Sequence, residues 1–162
     1  MRFVQCRFFR GIAAAAVLGL GAAVFLLYQR VEQASEVDAA RQSAVDAART
    51  RLPQLLSYDF HTLDRDLAGA RSGTTGTFRD QFAELATKVV APAAQQQQIV
   101  TRTTVAGTSV VSAETDRVVL LVFLDQVTQT KADPSARIDG ARVRATLQRQ
   151  DGQWLVSELT PV

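Results

Sequence analysis

The spacing of apolar residues changes along this chain. From Gly11 to Gln29 the sequence GIAAAAVLGLGAAVFLLYQ has no charged residue. At 1.5 Å rise per residue this matches the roughly 20 residues that cross a bilayer core. The pattern predicts a transmembrane helix over 11–29, preceded by a short N-terminal segment, 1–10. After it, Ala34, Val37, Ala44, Val45, Ala48, Leu52, Leu55 and Leu56 recur at three- and four-residue steps, interrupted only by Arg41. That period predicts an amphipathic stalk or first helix over 30–56. Pro53 is expected to kink or break it. Residues 57–76 read as a loop holding a short helix. Thr62 is its candidate cap, with Asp64 near the helix N-terminus. The stretch ARSGTTGT marks a break. A second helix is expected over about 77–91, capped by Thr75 or Thr77. Phe78, Phe82, Leu85, Val89 and Val90 form its apolar stripe, and Pro92 is its expected end.

The period then falls to two. Residues 97–112 are rich in Val, Ile and Thr, with Gly107 as an expected bulge or bend. Ala113–Asp116 reads as a turn. Val118–Leu124, VVLLVFL, is continuously apolar but too short to cross a membrane, so it predicts a central strand covered on both faces. Lys131–Ala136 reads as the next turn. Over 138–149, Ala141, Val143, Ala145 and Leu147 alternate with Arg142, Arg144, Thr146 and Gln148. Asp151-Gly152 is a two-residue hairpin signal, and the last strand holds Trp154, Val156 and Leu159. Helices followed by strands predict an α+β domain over 57–162, with helices packed on a curved four-stranded antiparallel sheet. The length of 162 residues suits one such domain with an anchor.

Charge fixes the expected topology. There are 18 Lys and Arg against 16 Asp and Glu, but Arg2, Arg7, Arg10 and Arg30 all flank the apolar run. Setting those four aside leaves 14 basic residues against 16 acidic ones, a net charge of −2 beyond residue 30. The domain therefore lacks the basic surplus of a nucleic-acid binder. Three arginines before the span and mixed charge after it predict a cytoplasmic N-terminus and an extracytoplasmic domain. A cleaved signal peptide is the rival reading. Its small-residue cleavage pattern is poor, because Glu32 precedes Ala34 and the pair Val37 and Ala39 lies far beyond the run. The single cysteine, Cys6, excludes an intramolecular disulfide and a multi-cysteine metal site.

Candidate chemistry is sparse. His61 is the only histidine, so any histidine-based triad or metal site must use it. It lies among Tyr58, Asp59, Asp64 and Asp66. A carboxylate beside a tyrosine suits proton abstraction next to a carbonyl, while capping aspartates in a surface loop explain the same residues. Ser57 has no nucleophile-elbow context. Asp125 reads as the point where the central strand leaves the core. There is no phosphate-binding glycine loop and no Cys–His pair. The sequence assigns no catalytic residue, metal ligand or cofactor. Tyr58, Asp59, His61, Phe123, Arg142, Arg144 and Trp154 are the candidates for an interaction surface or pocket. In this set Arg142 and Arg144 suit an acidic protein surface or a lipid headgroup.

These features together resemble the actinobacterial Mce-associated membrane proteins, small anchored companions of Mce lipid-import transporters. The resemblance is carried by the N-terminal span, the Ala-rich helix and Leu55-Leu56-Ser57-Tyr58-Asp59-Phe60-His61-Thr62-Leu63-Asp64-Arg65-Asp66-Leu67. Thr75-Gly76-Thr77-Phe78 and Phe123-Leu124-Asp125-Gln126-Val127 complete it. It covers nearly the whole chain. It implies a nuclear transport factor-like cone, as also seen in a component of type IV secretion systems. It also implies a single-pass inner-membrane protein whose partners are the bilayer and transporter subunits. The expected role is a non-enzymatic accessory subunit in lipid, sterol or fatty-acid import. Two other roles stay open. One is a lipid-binding module holding a hydrophobic ligand in the cone. The other is a small isomerase or hydrolase using Asp59 or Asp64 with Tyr58.

Overall fold

The computed structural model describes residue 32 and residues 34–162. The expected N-terminal segment 1–10 and transmembrane helix 11–29 lie outside the described residues. Among the described residues no helix is long and apolar enough to cross a membrane. The chain divides into two units, Met1–Val37 and Asp38–Val162. The second unit holds the sheet and the core.

Helix α1 is described from residue 34 to residue 56. Within the second unit it buries Ala40, Ala44, Ala48, Leu52 and Leu55. These are four- and three-residue steps, so they line one face. Ala40 takes the place at which Arg41 seemed to interrupt the stripe, and Arg41 points to solvent beside Asp38. The expected break at Pro53 is corrected: the helix runs through it to residue 56. Proline there removes one N–H close to the C-terminal end, and the Pro53 carbonyl still accepts the Ser57 N–H at 2.9 Å.

Strand β1, Tyr58–Asp59, is followed by helix α2, Leu63–Ser72. Helix α3, Gly76–Leu85, continues through a π-helical turn, Ala86–Val90, into helix α4, Ala91–Gln97. The expected stop at Pro92 is therefore also corrected. In the π turn the Ala91 N–H reaches back five residues to the Ala86 carbonyl. Pro92 enters at the first turn of α4, where a missing N–H is tolerated. The extra residue can shift the phase of the apolar stripe only from the turn onward, and so not at Leu85. Ala86 and Ala94 are buried, while Leu85 and Val89 are exposed. Thr75 precedes α3 but does not cap it through its side chain. Its hydroxyl donates instead to Gln150 Oε1.

Four long strands follow: β2, Val100–Ala113; β3, Arg117–Gln129; β4, Arg137–Gln150; and β5, Gln153–Pro161. With β1 they form one antiparallel sheet in the order β1-β2-β3-β4-β5. The expected four-stranded meander thus has a fifth, two-residue strand at its edge, too short to leave a periodic signal. Register shifts at Val105/Gly107 and Val110/Ser112 place bulges in β2. The β4–β5 turn has positive φ at both central residues, 49° at Asp151 and 77° at Gly152. That is the twist a two-residue hairpin requires.

The core lies between one face of this sheet and the helices. Val118, Leu120, Val122 and Leu124 of β3 join Val143, Ala145 and Leu147 of β4, Trp154 and Val156 of β5, and the apolar face of α1. Trp154 Nε1 donates to Ser43 Oγ at 2.9 Å, tying β5 to α1 while satisfying the indole N–H. The expectation that VVLLVFL is covered on both faces is corrected. Its even-numbered residues are buried, while Val119 and Leu121 are half-buried and Phe123 is exposed. The helices stack on one face only, so alternation along the strand sends every second apolar side chain outward.

Candidate functional site

The outer face of the sheet is the first candidate. Val119, Leu121 and Phe123 project from β3. Their partners across the ladder are Ser112, Ser109 and Gly107 on β2, and Thr146, Arg144 and Arg142 on β4. A Cβ added at Gly107 would lie 3.7 Å from Phe123 Cδ2, so the phenyl ring rests over the glycine and shields its backbone. Arg142 and Arg144 stand beside this apolar row and are exposed. At the far end Val127 pairs with Ile138, which is 70 % exposed. Asp125, exposed on the same face, separates Phe123 from Val127, so the result is an apolar strip over residues 119–123 with two arginines and an aspartate at its edge.

The second candidate is a cavity of about 460 Å³ between α1, α3 and the inner face of the sheet. Its walls are Leu55 and Leu56 of α1, Phe78, Phe82 and Leu85 of α3, and Leu124, Val143 and Leu159 of the sheet. The Phe78 and Phe82 rings lie 6.4 Å apart in a tilted pair. Gln81, Thr103 and Gln126 supply polar groups. Gln126 Nε2 donates to Thr103 Oγ1 at 3.2 Å, and that hydroxyl donates to the Leu56 carbonyl at 3.1 Å. Phe78, Phe82 and Leu85 are legible in the sequence as a stripe. Gln126 is not, since it looks like one more polar residue at a strand end.

The third candidate is the loop after α1. Tyr58, Asp59 and Asp66 line a polar cleft of about 620 Å³ together with Ser57, Arg65 and Arg102. Asp66 organises it: Oδ2 accepts the Thr62 hydroxyl at 2.7 Å and the Asp59 N–H at 3.2 Å. Thr62 thus precedes α2 without capping it through its side chain. Asp59 Oδ1 accepts both the His61 N–H at 2.9 Å and a contact with His61 Nδ1 at 2.7 Å. The His61 N–H first, then the imidazole, hold the Asp59 carboxyl below its ordinary pKa, with partial burial opposing them. His61 itself is 67 % exposed and stacks near Phe60. It lines a separate depression with Asp64, away from Tyr58. The structure therefore pairs His61 with Asp59 but does not gather Tyr58, the aspartates and His61 in one cavity.

The other sequence candidates fall in two places. Phe123, Arg142 and Arg144 share the outer face, whereas Trp154 is buried in the core. Among the described residues no cluster of three or more His, Cys, Asp or Glu side chains is placed to hold a metal.

Comparison with known proteins places this geometry. The chain is 39 % identical over 153 residues to a Mycobacterium tuberculosis protein named outer membrane protein Rv1973, covering 94 % of this chain and 92 % of that one. It is 38 % identical over 139 residues to Rv1362c of the same species, covering 86 % of this chain but 63 % of that one. The chain thus spans less than two thirds of the length of Rv1362c. Among solved structures, an IcmL-like type IV secretion system protein of Legionella pneumophila superposes with a TM-score of 0.62 at 11 % identity, covering 75 % of this chain and 92 % of that one. A periplasmic fragment of TraM gives 0.60 at 7 % identity, covering 75 % and 96 %. At such identities the likeness is one of fold, the nuclear transport factor-like arrangement of helices on a curved antiparallel sheet. A family model described as "Uncharacterized protein Rv1363c/MT1408-like" matches residues 9–162. With nearly its whole length matched, the chain belongs to the Rv1363c/MT1408-like family.

Proposed function

We propose that this protein is a non-enzymatic accessory subunit of a membrane assembly in the cell envelope, acting by protein–protein contact. In this reading the apolar run at 11–29 anchors it, and residues 31–162 work outside the inner membrane. The assembly is an Mce-type lipid-import transporter. The observation that carries the proposal is the uncovered outer face of the sheet. An apolar strip flanked by arginines has the make-up of a contact surface, an apolar and aromatic centre with a charged margin. Its arginines suit an acidic partner surface. Tethering at the membrane would raise the local concentration of this face near the assembly. Two likenesses agree with the setting: one relative is named an outer membrane protein, and the TraM match is a periplasmic fragment.

Deleting the gene is the test. The steady-state level of the Mce-type transporter subunits should fall, with lipid uptake. Unchanged levels and uptake would refute the proposal. Topology has its own check. Cys6 should resist a membrane-impermeant maleimide in intact cells, while a Ser135→Cys variant lacking Cys6 should be labelled.

The apolar cavity favours a second reading, a lipid-binding module that carries a hydrophobic ligand. Native mass spectrometry of the purified full chain should then show a bound hydrophobic molecule. A ligand-free spectrum would oppose it.

A further inference from the structure

The residues around the cavity between α1, α3 and the sheet narrow the chemistry of its ligand, an assignment that rests on the lipid-binding reading. None of the residues lining it is ionisable. The charged residue opposite Gln126 on β4 is Asp139, which is engaged by Arg137 at 3.1 Å and does not line the cavity. An anionic headgroup brought inside would lose its hydration and meet no cation. Placing an unpaired carboxylate or sulfate in such surroundings is strongly unfavourable.

The polar lining is the Thr103 hydroxyl and two amides, the exposed Gln81 of α3 and Gln126, which is tied to Thr103. Thr103 is buried, and its hydroxyl is engaged twice, accepting from Gln126 Nε2 and donating to the Leu56 carbonyl. Gln126 keeps its carbonyl oxygen and its second N–H for another group. A hydroxyl, which both donates and accepts, matches both. The volume of about 460 Å³ falls near the lower end of the range for small-molecule sites. Leu85, half exposed, lines the cavity immediately before the π-helical turn Ala86–Val90. Such turns recur at functional positions in helices. Ala141, also exposed, lines it from β4.

We infer that this cavity binds an uncharged hydrophobic alcohol, with its hydrocarbon body against Phe82, Leu124 and Val143 and its hydroxyl on the Gln126 amide. Gln126 is the residue that selects the headgroup, and the absence of a lining cation excludes the corresponding anion.

The experiment uses the full chain in phosphatidylcholine nanodiscs and two diazirine-bearing probes of equal chain length, a long-chain alcohol and the matching alkyl sulfate. After illumination, labelled peptides are identified by mass spectrometry. The alcohol should label peptides containing Leu55–Leu56 or Phe78–Phe82 at least about tenfold more than the sulfate, reflecting the cost of an unpaired buried charge. Ala141→Trp, at an exposed position that folding should tolerate, should close the opening and remove this labelling. Gln126→Leu should lower alcohol labelling by about fivefold, the effect of one lost hydrogen bond. Equal labelling by both probes would overturn the headgroup assignment while leaving a hydrophobic site in place. Labelling confined to residues 11–29, or unaffected by Ala141→Trp, would overturn the cavity as a binding site altogether.

Discussion

The two faces of strand β3 use the same kinds of residue for opposite ends. Val118, Leu120, Val122 and Leu124 are closed off by α1 and by the neighbouring strands. Val119, Leu121 and Phe123 have similar hydropathy but no helix above them. Burial, and with it stabilisation of roughly 1.5–3 kcal/mol per large aliphatic side chain, belongs to the inner set. The outer set adds less to folding, so its apolar character is left available for contact. Hydrophobicity along a strand is therefore not itself a measure of coreness. What stands above each face decides it.

This comparison is open to attack at several points. The largest effect is expected from Leu120→Ala, which empties a fully buried position. Chemical denaturation of the full chain should show a loss of about 2–5 kcal/mol. Gly152→Val comes next. It places a β-branched side chain at φ +77° in the β4–β5 turn and should cost about 1–3 kcal/mol. It also probes the face assignment, since the turn sets the β4–β5 register and a one-residue slip would exchange inner for outer side chains. Phe123→Ser on the outer face should change stability by less than about 1 kcal/mol. A loss as large as that of Leu120→Ala would erase the distinction between the faces.

The smallest effect is a control that touches neither face. The Asp59 pKa is depressed by the His61 N–H and imidazole. The loop contacts it supports should therefore be complete above about pH 4 and lost as pH falls through its lowered value. The His61 amide resonance should follow that titration, with methyl resonances of Leu120 and Leu121 unmoved.

Much of this architecture is legible in the sequence where one period dominates. The alternation of Val143, Ala145 and Leu147 with arginines, the Asp151-Gly152 hairpin and the Gly107 bulge all appear where the pattern puts them. The differences share one cause: local rules are overridden by neighbours. Pro53 and Pro92 look like breaks, but one sits near a helix end and the other follows a π turn. Leu85 and Val89 look like core, but Leu85 is exposed at the end of the α3 stripe and Val89 is exposed within the π turn. VVLLVFL has no internal period, so nothing within it could show that only one face is covered. Strand β1 is two residues long and carries no periodic signal.

The candidate sites are legible to a lesser degree. Arg142 and Arg144 stand out by alternation, and Phe123 by its place in the apolar run. Their meeting on one face needs the β3–β4 register. Trp154, conspicuous for its size, anchors β5 to Ser43 of α1. The cavity draws on six elements, α1, α3 and strands β2 to β5, so no local motif announces it.

The claim that matters most is that the outer face serves assembly while the inner face serves folding. It is tested by replacing the chromosomal gene with a Phe123→Asp, Arg142→Glu double variant and measuring Mce-type transporter subunits in the membrane, with the variant's own level as reference. The account predicts that the variant accumulates normally while the transporter subunits fall as far as they do on deletion. Normal subunit levels alongside a normally accumulating variant would contradict it.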